Sequence, residues 1–214
     1  MKNFLIIALI LIQTIAFGQN AQKWRLGIET SIENLSIPRN NYGQKYIRTD
    51  ESINGYSVKF DQKNYSIGLR AKYSLKEKLD LSSGISYSNK DFSGRYNCAT
   101  CDFIGIFPET TIEQRFLTIP LSIEYLFLKG KFKPALEGGF ENNFKLKNDI
   151  KKISNNYFLE AYLGVSINYA LMEKWILNVG YNYQKSISHL YKTDESELRT
   201  NSFFLRISYL LKSR

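Results

Sequence analysis

The sequence predicts an all-β protein: a single antiparallel up-and-down transmembrane barrel of about eight strands. Three observations predict it. Apolar residues recur at every second position in long segments, which is the period of a strand whose two faces meet different surroundings. The connections between these segments alternate between short and long, as they do when one rim holds tight turns and the other holds loops. Aromatic residues collect at both ends of the apolar rows with aliphatics between them, where rings settle at two bilayer interfaces.

The first residues read as a targeting segment. Lys2 supplies a charged start, Phe4 to Ile12 an apolar core extended by Thr14 to Phe17, and Ala16-Phe17-Gly18 small residues before Gln19. This is the pattern of a secretory signal peptide cut after Gly18. The expected organisation is therefore a cleaved segment, 1–18, and one barrel domain, 19–214. The segment is short for a spanning helix and is interrupted by Gln13. No cysteine follows the cut, so lipoprotein anchoring is not indicated. Losing Lys2 lowers the formal charge from +9 to +8. No later apolar run is long enough for a membrane helix, so a membrane form must be a barrel. Aromatic content is high at 14%, and only four prolines are present, which leaves long strands free to form.

Eight alternating segments follow in order: Lys23–Leu35, Asn64–Leu75, Leu79–Phe92, Thr111–Phe127, Lys131–Leu146, Tyr157–Ala170, Lys174–Ser188 and Arg199–Leu211. Each is long enough for the roughly 9–11 tilted residues that cross a bilayer. Lys76-Glu77-Lys78, Leu128-Lys129-Gly130 and Leu171-Met172-Glu173 make three short turns. The four longer connections are Ser36–Lys63, Ser93–Thr110, Lys147–Asn156 and His189–Leu198. Short periplasmic turns and long extracellular loops follow, with both termini on the short-turn side. The longest loop has room for hairpin arms, so ten strands is the alternative count.

One parity of these segments is greasy. It carries Leu26, Ile28 and Ile32, then Ile67 and Leu69, and later Leu163, Val165, Leu205 and Ile207. Trp24, Tyr73, Tyr125, Phe127, Phe132, Tyr169, Trp175 and Tyr209 mark the short-turn rim, and Tyr65, Tyr87, Phe140, Tyr157, Tyr181, Tyr183 and Phe203 the long-loop rim. The other parity carries Gly27, Gly68, Gly84, Gly139, Gly164 and Gly180, several serines, and many charges. Small residues suit the narrow interior of an eight-stranded barrel. Isolated buried charges are too costly, so Arg25, Glu29, Arg70, Lys72, Glu124, Lys133, Glu137, Glu160 and Arg206 are expected to form a lumen ion-pair network. Pro120 falls on this inward face, where its missing N–H predicts a bulge or kink. The apolar face is thus expected to touch lipid, with a filled polar lumen inside.

The stretch Phe116-Leu117-Thr118-Ile119-Pro120-Leu121, followed by Lys133-Pro134-Ala135-Leu136-Glu137-Gly138-Gly139, resembles the "Leu-x-Ile-Pro-Leu" strand and the glycine-bearing strand of PorT-like outer-membrane β-barrel proteins. The resemblance implies an outer-membrane barrel, and some relatives take part in exporting proteins to the cell surface. The closing Ser202 to Leu211 also resembles a barrel-assembly signal, departing from it by ending in Lys212-Ser213-Arg214.

Few residues suggest chemistry. Cys98-Ala99-Thr100-Cys101 is expected to close a small loop disulfide in an oxidising compartment. Redox work or half a metal site are the alternatives, but a zinc site needs more ligands than the single His189 can add. Ser188-His189 with Asp194 and Glu195 lacks a nucleophile-elbow pattern. No catalytic residue, cofactor or metal is expected. Lys145, Lys147, Lys151 and Lys152, with Arg39, Lys45 and Arg48, sit in or beside the loops, where they could meet lipid phosphates or anionic glycans. The expected partners are outer-membrane lipid and an anionic glycolipid or a surface or periplasmic protein, with no nucleic acid. The expected location is the outer membrane of a Gram-negative bacterium, with a role in envelope structure or surface binding through the loops. The competing roles are a narrow pore or accessory to protein export, a membrane-embedded hydrolase, and a soluble lipocalin-like barrel with its greasy face inward.

Overall fold

The computed structural model describes residues 24–39, 45–49, 54–98, 107–151, 153–192 and 197–211. The expected signal peptide, 1–18, lies outside the described residues. Among the described residues twelve strands form: β1 (Trp24–Ser36), β2 (Tyr46–Arg48), β3 (Gly55–Lys59), β4 (Asn64–Lys76), β5 (Leu79–Asn89), β6 (Phe92–Asn97), β7 (Glu109–Ile112), β8 (Gln114–Leu126), β9 (Phe132–Asn148), β10 (Tyr157–Ala170), β11 (Trp175–Ser186) and β12 (Arg199–Leu210).

The eight long strands close into a barrel in the order β1-β12-β11-β10-β9-β8-β5-β4. Every neighbour is antiparallel, and β1 seals the ring by pairing with both β12 and β4. Closure leaves no barrel edge unpaired. The remaining strands form a separate four-stranded sheet in the order β2-β3-β6-β7. The ten-strand alternative is therefore corrected: the first long loop does supply two strands, but they join this second sheet and leave the barrel at eight. Two expected segments also divide. Leu79–Phe92 breaks at Lys90-Asp91, and Thr111–Phe127 breaks at Glu113, so β6 and β7 prolong the β5/β8 hairpin beyond the barrel wall.

The apolar face points outward. Ile28 and Leu69 are each 60% exposed, and Leu163 and Val165 nearly as much. The charged parity is buried, with Arg206, Glu124, Glu137 and Glu160 at 1% or less. A soluble lipocalin-like barrel needs the opposite orientation, so that reading is corrected. Girdle rings stack between neighbouring strands: Trp24 on Tyr73 at 4.8 Å and Trp175 on Tyr209 at 5.1 Å on one rim, Tyr181 on Phe203 at 5.1 Å and Phe144 on Tyr157 at 5.3 Å on the other. Such pairs add to area burial.

The barrel is tight enough that glycine is required at places on its inner wall. A Cβ at Gly139 would stand 2.2 Å from the Leu121 carbonyl oxygen. Gly130, in the turn between β8 and β9, has φ +116°, a conformation that other residues rarely adopt. Pro120 departs from expectation. The β5/β8 register is unchanged on either side of it, from Ser83↔Leu121 to Ser86↔Thr118. The ladder is only interrupted there, and the shift in β8 falls instead between Arg115 and Phe116 against β9. Pro120 still offers its carbonyl, which accepts from Ser83 Oγ at 2.9 Å.

Candidate functional site

Three storeys stack along the barrel axis, each built from a different residue chemistry. The uppermost is a cap. One face of the β2-β3-β6-β7 sheet carries Ile47, Val58, Phe92 and Ile112. They pack with Leu35, Ile37, Phe116, Phe158, Ile150, Ile153, Leu190, Tyr191 and Leu198 into one buried apolar cluster. Three of the four long connections thus contribute to a single core, which Phe92 and Ile112 join from the strands flanking the fourth, and the edge-to-face pair Phe116 and Phe158 at 5.1 Å seats it on the barrel end. The corner where β5 turns into β6 is fixed by hydrogen bonds. Asp91 N donates to Asn64 Oδ1 at 2.6 Å, Gln114 N to Asp91 Oδ1 at 2.8 Å, and Gln114 Nε2 to the Lys90 carbonyl at 2.8 Å. Gln114 Oε1 in turn accepts from Asn148 Nδ2 and from the Tyr191 hydroxyl, each at 3.0 Å.

The outer face of the cap is polar. Strand register aligns Ser57, Arg95 and Glu109 in one row and Arg48, Gly55 and Asn97 in the next. Lys59 Nζ donates to Glu109 Oε2 at 2.9 Å across this face. Among the described residues of the sheet, Arg48, Lys59 and Arg95 face outward against one acid. Beside the cap, Lys147 Nζ donates to Glu113 Oε2 at 2.5 Å. That bond holds the exposed Glu113 carboxyl below its usual range, with help from the charges of Lys147 and Arg115.

The middle storey is the lumen. Arg206 on β12 crosses to Glu137 on β9 at 3.3 Å while also pairing with Glu29 on β1 at 2.5 Å. Arg70 meets Glu29 at 3.0 Å, and Lys72 meets Glu124 at 2.5 Å. Ser122 and the Tyr162 hydroxyl both donate to Glu137 Oε1, at 2.7 and 2.9 Å. At the top, Lys90 reaches down from the β5/β6 corner to Glu160 at 3.2 Å and Glu33 at 3.5 Å. At the bottom, Arg25 pairs with Asp80, which also accepts from Ser74 Oγ at 2.7 Å. Cross-lumen pairs of this kind fill the interior and tie opposite walls together.

The structure thus brings eight of the nine expected network residues into ion pairs: Arg25, Glu29, Arg70, Lys72, Glu124, Glu137, Glu160 and Arg206. Lys133 is the exception. It stands near the short-turn mouth opposite Asn168 and makes no ion pair among the described residues. Lys90 enters the network in addition, and Asp80 and Glu33 with it. Lys90 shares its parity with Ser82, Ser86 and Ser88, so its inward direction could have been read from the sequence. Of the loop residues, Cys98 follows β6 and is disulfide-bonded, while Cys101 lies outside the described residues. His189 is exposed, and Ser188 Oγ accepts from the Leu159 amide at 2.7 Å. Asp194, Glu195 and Lys152 lie outside the described residues.

The lowest storey is a cavity of about 870 Å³ at the short-turn mouth. Here the inward parity changes character. Leu126, Ala170, Ile176 and Leu210, on four different strands, line it together with Arg25, Asp80 and Lys133.

A closed eight-stranded wall, an apolar exterior and ring girdles at both rims define a Gram-negative outer-membrane β-barrel. No family model matches the chain, and no curated protein matches it in sequence. Solved structures do match it. The crystal structure of Neisserial surface protein A, NspA, aligns with a TM-score of 0.54 at 14% identity, over 87% of this chain and 96% of that one. That of the outer membrane protein OprG from Pseudomonas aeruginosa aligns with a TM-score of 0.54 at 12% identity, over 90% and 97%. At these identities the shared property is the fold.

Proposed function

We propose that this chain is a non-catalytic outer-membrane protein that presents a rigid binding surface to the cell exterior, and that its partner is an anionic glycan. One observation carries the reading: the first two long connections and their flanking strands do not end as separate loops but fold into one sheet over a buried core that the other two connections complete. A preformed surface loses little conformational entropy on binding. Its outer face carries Arg95 beside the Lys59–Glu109 pair, and a guanidinium group suits sulfate, phosphate and carboxylate acceptors. The filled lumen favours this role over a pore, because Arg206 and Lys90 bridge opposite walls where a water path would run. The Leu-x-Ile-Pro-Leu strand makes the PorT-like barrels the family in which this reading sets the chain, with residues 1–18 as its export signal. The test is retention of whole cells displaying the protein on dextran sulfate beads, with neutral dextran beads as the control. Retention on dextran sulfate alone, falling about tenfold when Arg95→Ser removes one charge-assisted contact, is the expected result. Equal retention by the Arg95→Ser variant would overturn the reading.

A further inference from the structure

The short-turn mouth is unlike the rest of the lumen. A barrel interior filled mainly by polar side chains around the buried Phe204 and Tyr162 ends in apolar side chains on β8, β10, β11 and β12, through Leu126, Ala170, Ile176 and Leu210. They line an open hollow of about 870 Å³, within the range of roughly 300–1,000 Å³ typical of small-molecule sites. Met172 stands at its lip, 71% exposed. Leu126 is buried, but Ala170, Ile176 and Leu210 stay partly exposed, and an apolar ligand would complete their burial.

The polar groups of the hollow say what the other end of that ligand carries. Arg25 and Asp80 neutralise each other, and Lys129 pairs with Glu77 at 2.5 Å on the rim. The Lys129 hydrogen bond holds the exposed Glu77 carboxyl below its usual range, so this pair stays ionised and self-satisfied. Lys133 is left inside the hollow without a carboxylate among the described residues. Glu173 is the one other acid of the lining, which also carries Lys76. Lys78, Lys131 and Lys174 lie on the same rim, so the approach is cationic. Ring pairs such as Trp24 with Tyr73 and Trp175 with Tyr209 set this mouth at the level of a lipid interface.

From the apolar collar, the unpaired Lys133 and the mouth's level at the interface, we infer that the short-turn mouth binds a single-chain anionic amphiphile, its carboxylate or phosphate head on Lys133 and its acyl chain against Leu126, Ala170, Ile176 and Leu210. The site is separate from the cap and does not depend on what the cap binds.

The test uses the full chain in phosphatidylcholine vesicles with a diazirine-bearing fatty acid, followed by light and peptide mapping. Label concentrated on the mouth residues, above that on lipid-facing Leu163 and Val165, is expected. Dodecyl phosphate should displace it, and inorganic phosphate should not. Lys133→Met should reduce mouth labelling about tenfold, the loss for one charge-assisted contact, and Ala170→Trp should block it by filling the hollow. Because Lys133 makes no ion pair among the described residues, the Met variant should keep the wild-type heat-shifted gel band, which separates lost binding from lost folding. Mouth labelling no stronger than on lipid-facing residues, or unchanged in both variants, would overturn the inference. Displacement by inorganic phosphate or by an acidic peptide as readily as by dodecyl phosphate would also overturn it, since the acyl chain would then have no role.

Discussion

Replacing Lys90 with methionine should loosen the cap from the barrel. The side chain keeps its length but loses the ammonium that serves Glu160 at 3.2 Å and Glu33 at 3.5 Å. Lys90 is 1% exposed and Glu160 fully buried, so water cannot replace the missing charge. Removing one partner of a buried ion pair costs about 3–5 kcal/mol. Glu160 keeps Asn143 Nδ2 at 2.9 Å and Glu33 keeps Ser31 Oγ at 3.2 Å, which argues for the lower half of that range. In a urea titration with a slope of about 2 kcal/mol per M, the midpoint should fall by roughly 2 M. Trp24 and Trp175 fluorescence in vesicles would follow the barrel, and trypsin cleavage at Lys59 and Arg95 would follow the cap. Cleavage should begin before the tryptophans respond, because Lys90 sits at the corner that joins β5 to β6. Adding Glu160→Gln to the Lys90→Met chain should recover part of the loss by removing a stranded carboxylate. A loss under 1 kcal/mol, or no recovery in the double variant, would refute the view that Lys90 latches the cap to the lumen.

Other outcomes follow from the same geometry. Gly139→Ala forces a Cβ to within 2.2 Å of the Leu121 carbonyl, and overpacking of this kind should cost about 1–3 kcal/mol in the same titration. Gln114→Leu strands the Lys90 carbonyl and Asn148 Nδ2; each buried unsatisfied group costs about 1–3 kcal/mol, and cap proteolysis should report it. Lys133→Met should change stability by less than about 0.5 kcal/mol, as for surface substitutions that break no contact. Purified protein in planar bilayers should show no stepwise conductance, and Arg206→Ala with Lys90→Ala, which empties two cross-lumen bridges, should be the first variant to leak.

The barrel was legible because its two faces meet opposite solvents, which writes a period of two into every strand. Leu117, Ile119, Leu121 and Ile123 could only be one face, and Ser122, Glu124 and Glu137 the other. Strand parity even gave eight members of the lumen network. It failed at Lys133 and Lys90 because parity fixes direction but not depth. Lys133 points inward at the mouth, where water is near and no acid faces it, whereas Lys90 points inward where two buried glutamates wait. The cap was not legible as a unit. Its core draws Ile37, Ile47, Ile153 and Leu198 from three separate connections and Phe92 and Ile112 from the ends of strand segments, with no continuous period linking them. Their meeting depends on tertiary closure that no local pattern records. Pro120 was misread for a related reason. A missing N–H removes one bond, but register on both flanks is held by the whole ladder, so the strand passes without a shift.

The most direct test of the central claim, that the apolar face meets lipid, is to express the full chain in a Gram-negative host, separate outer membranes from periplasm, and run both on SDS gels with and without boiling. A band in the outer-membrane fraction whose mobility changes on heating is the predicted result, because a closed barrel resists SDS until heat opens it. A soluble periplasmic protein with one mobility under both conditions would contradict the account.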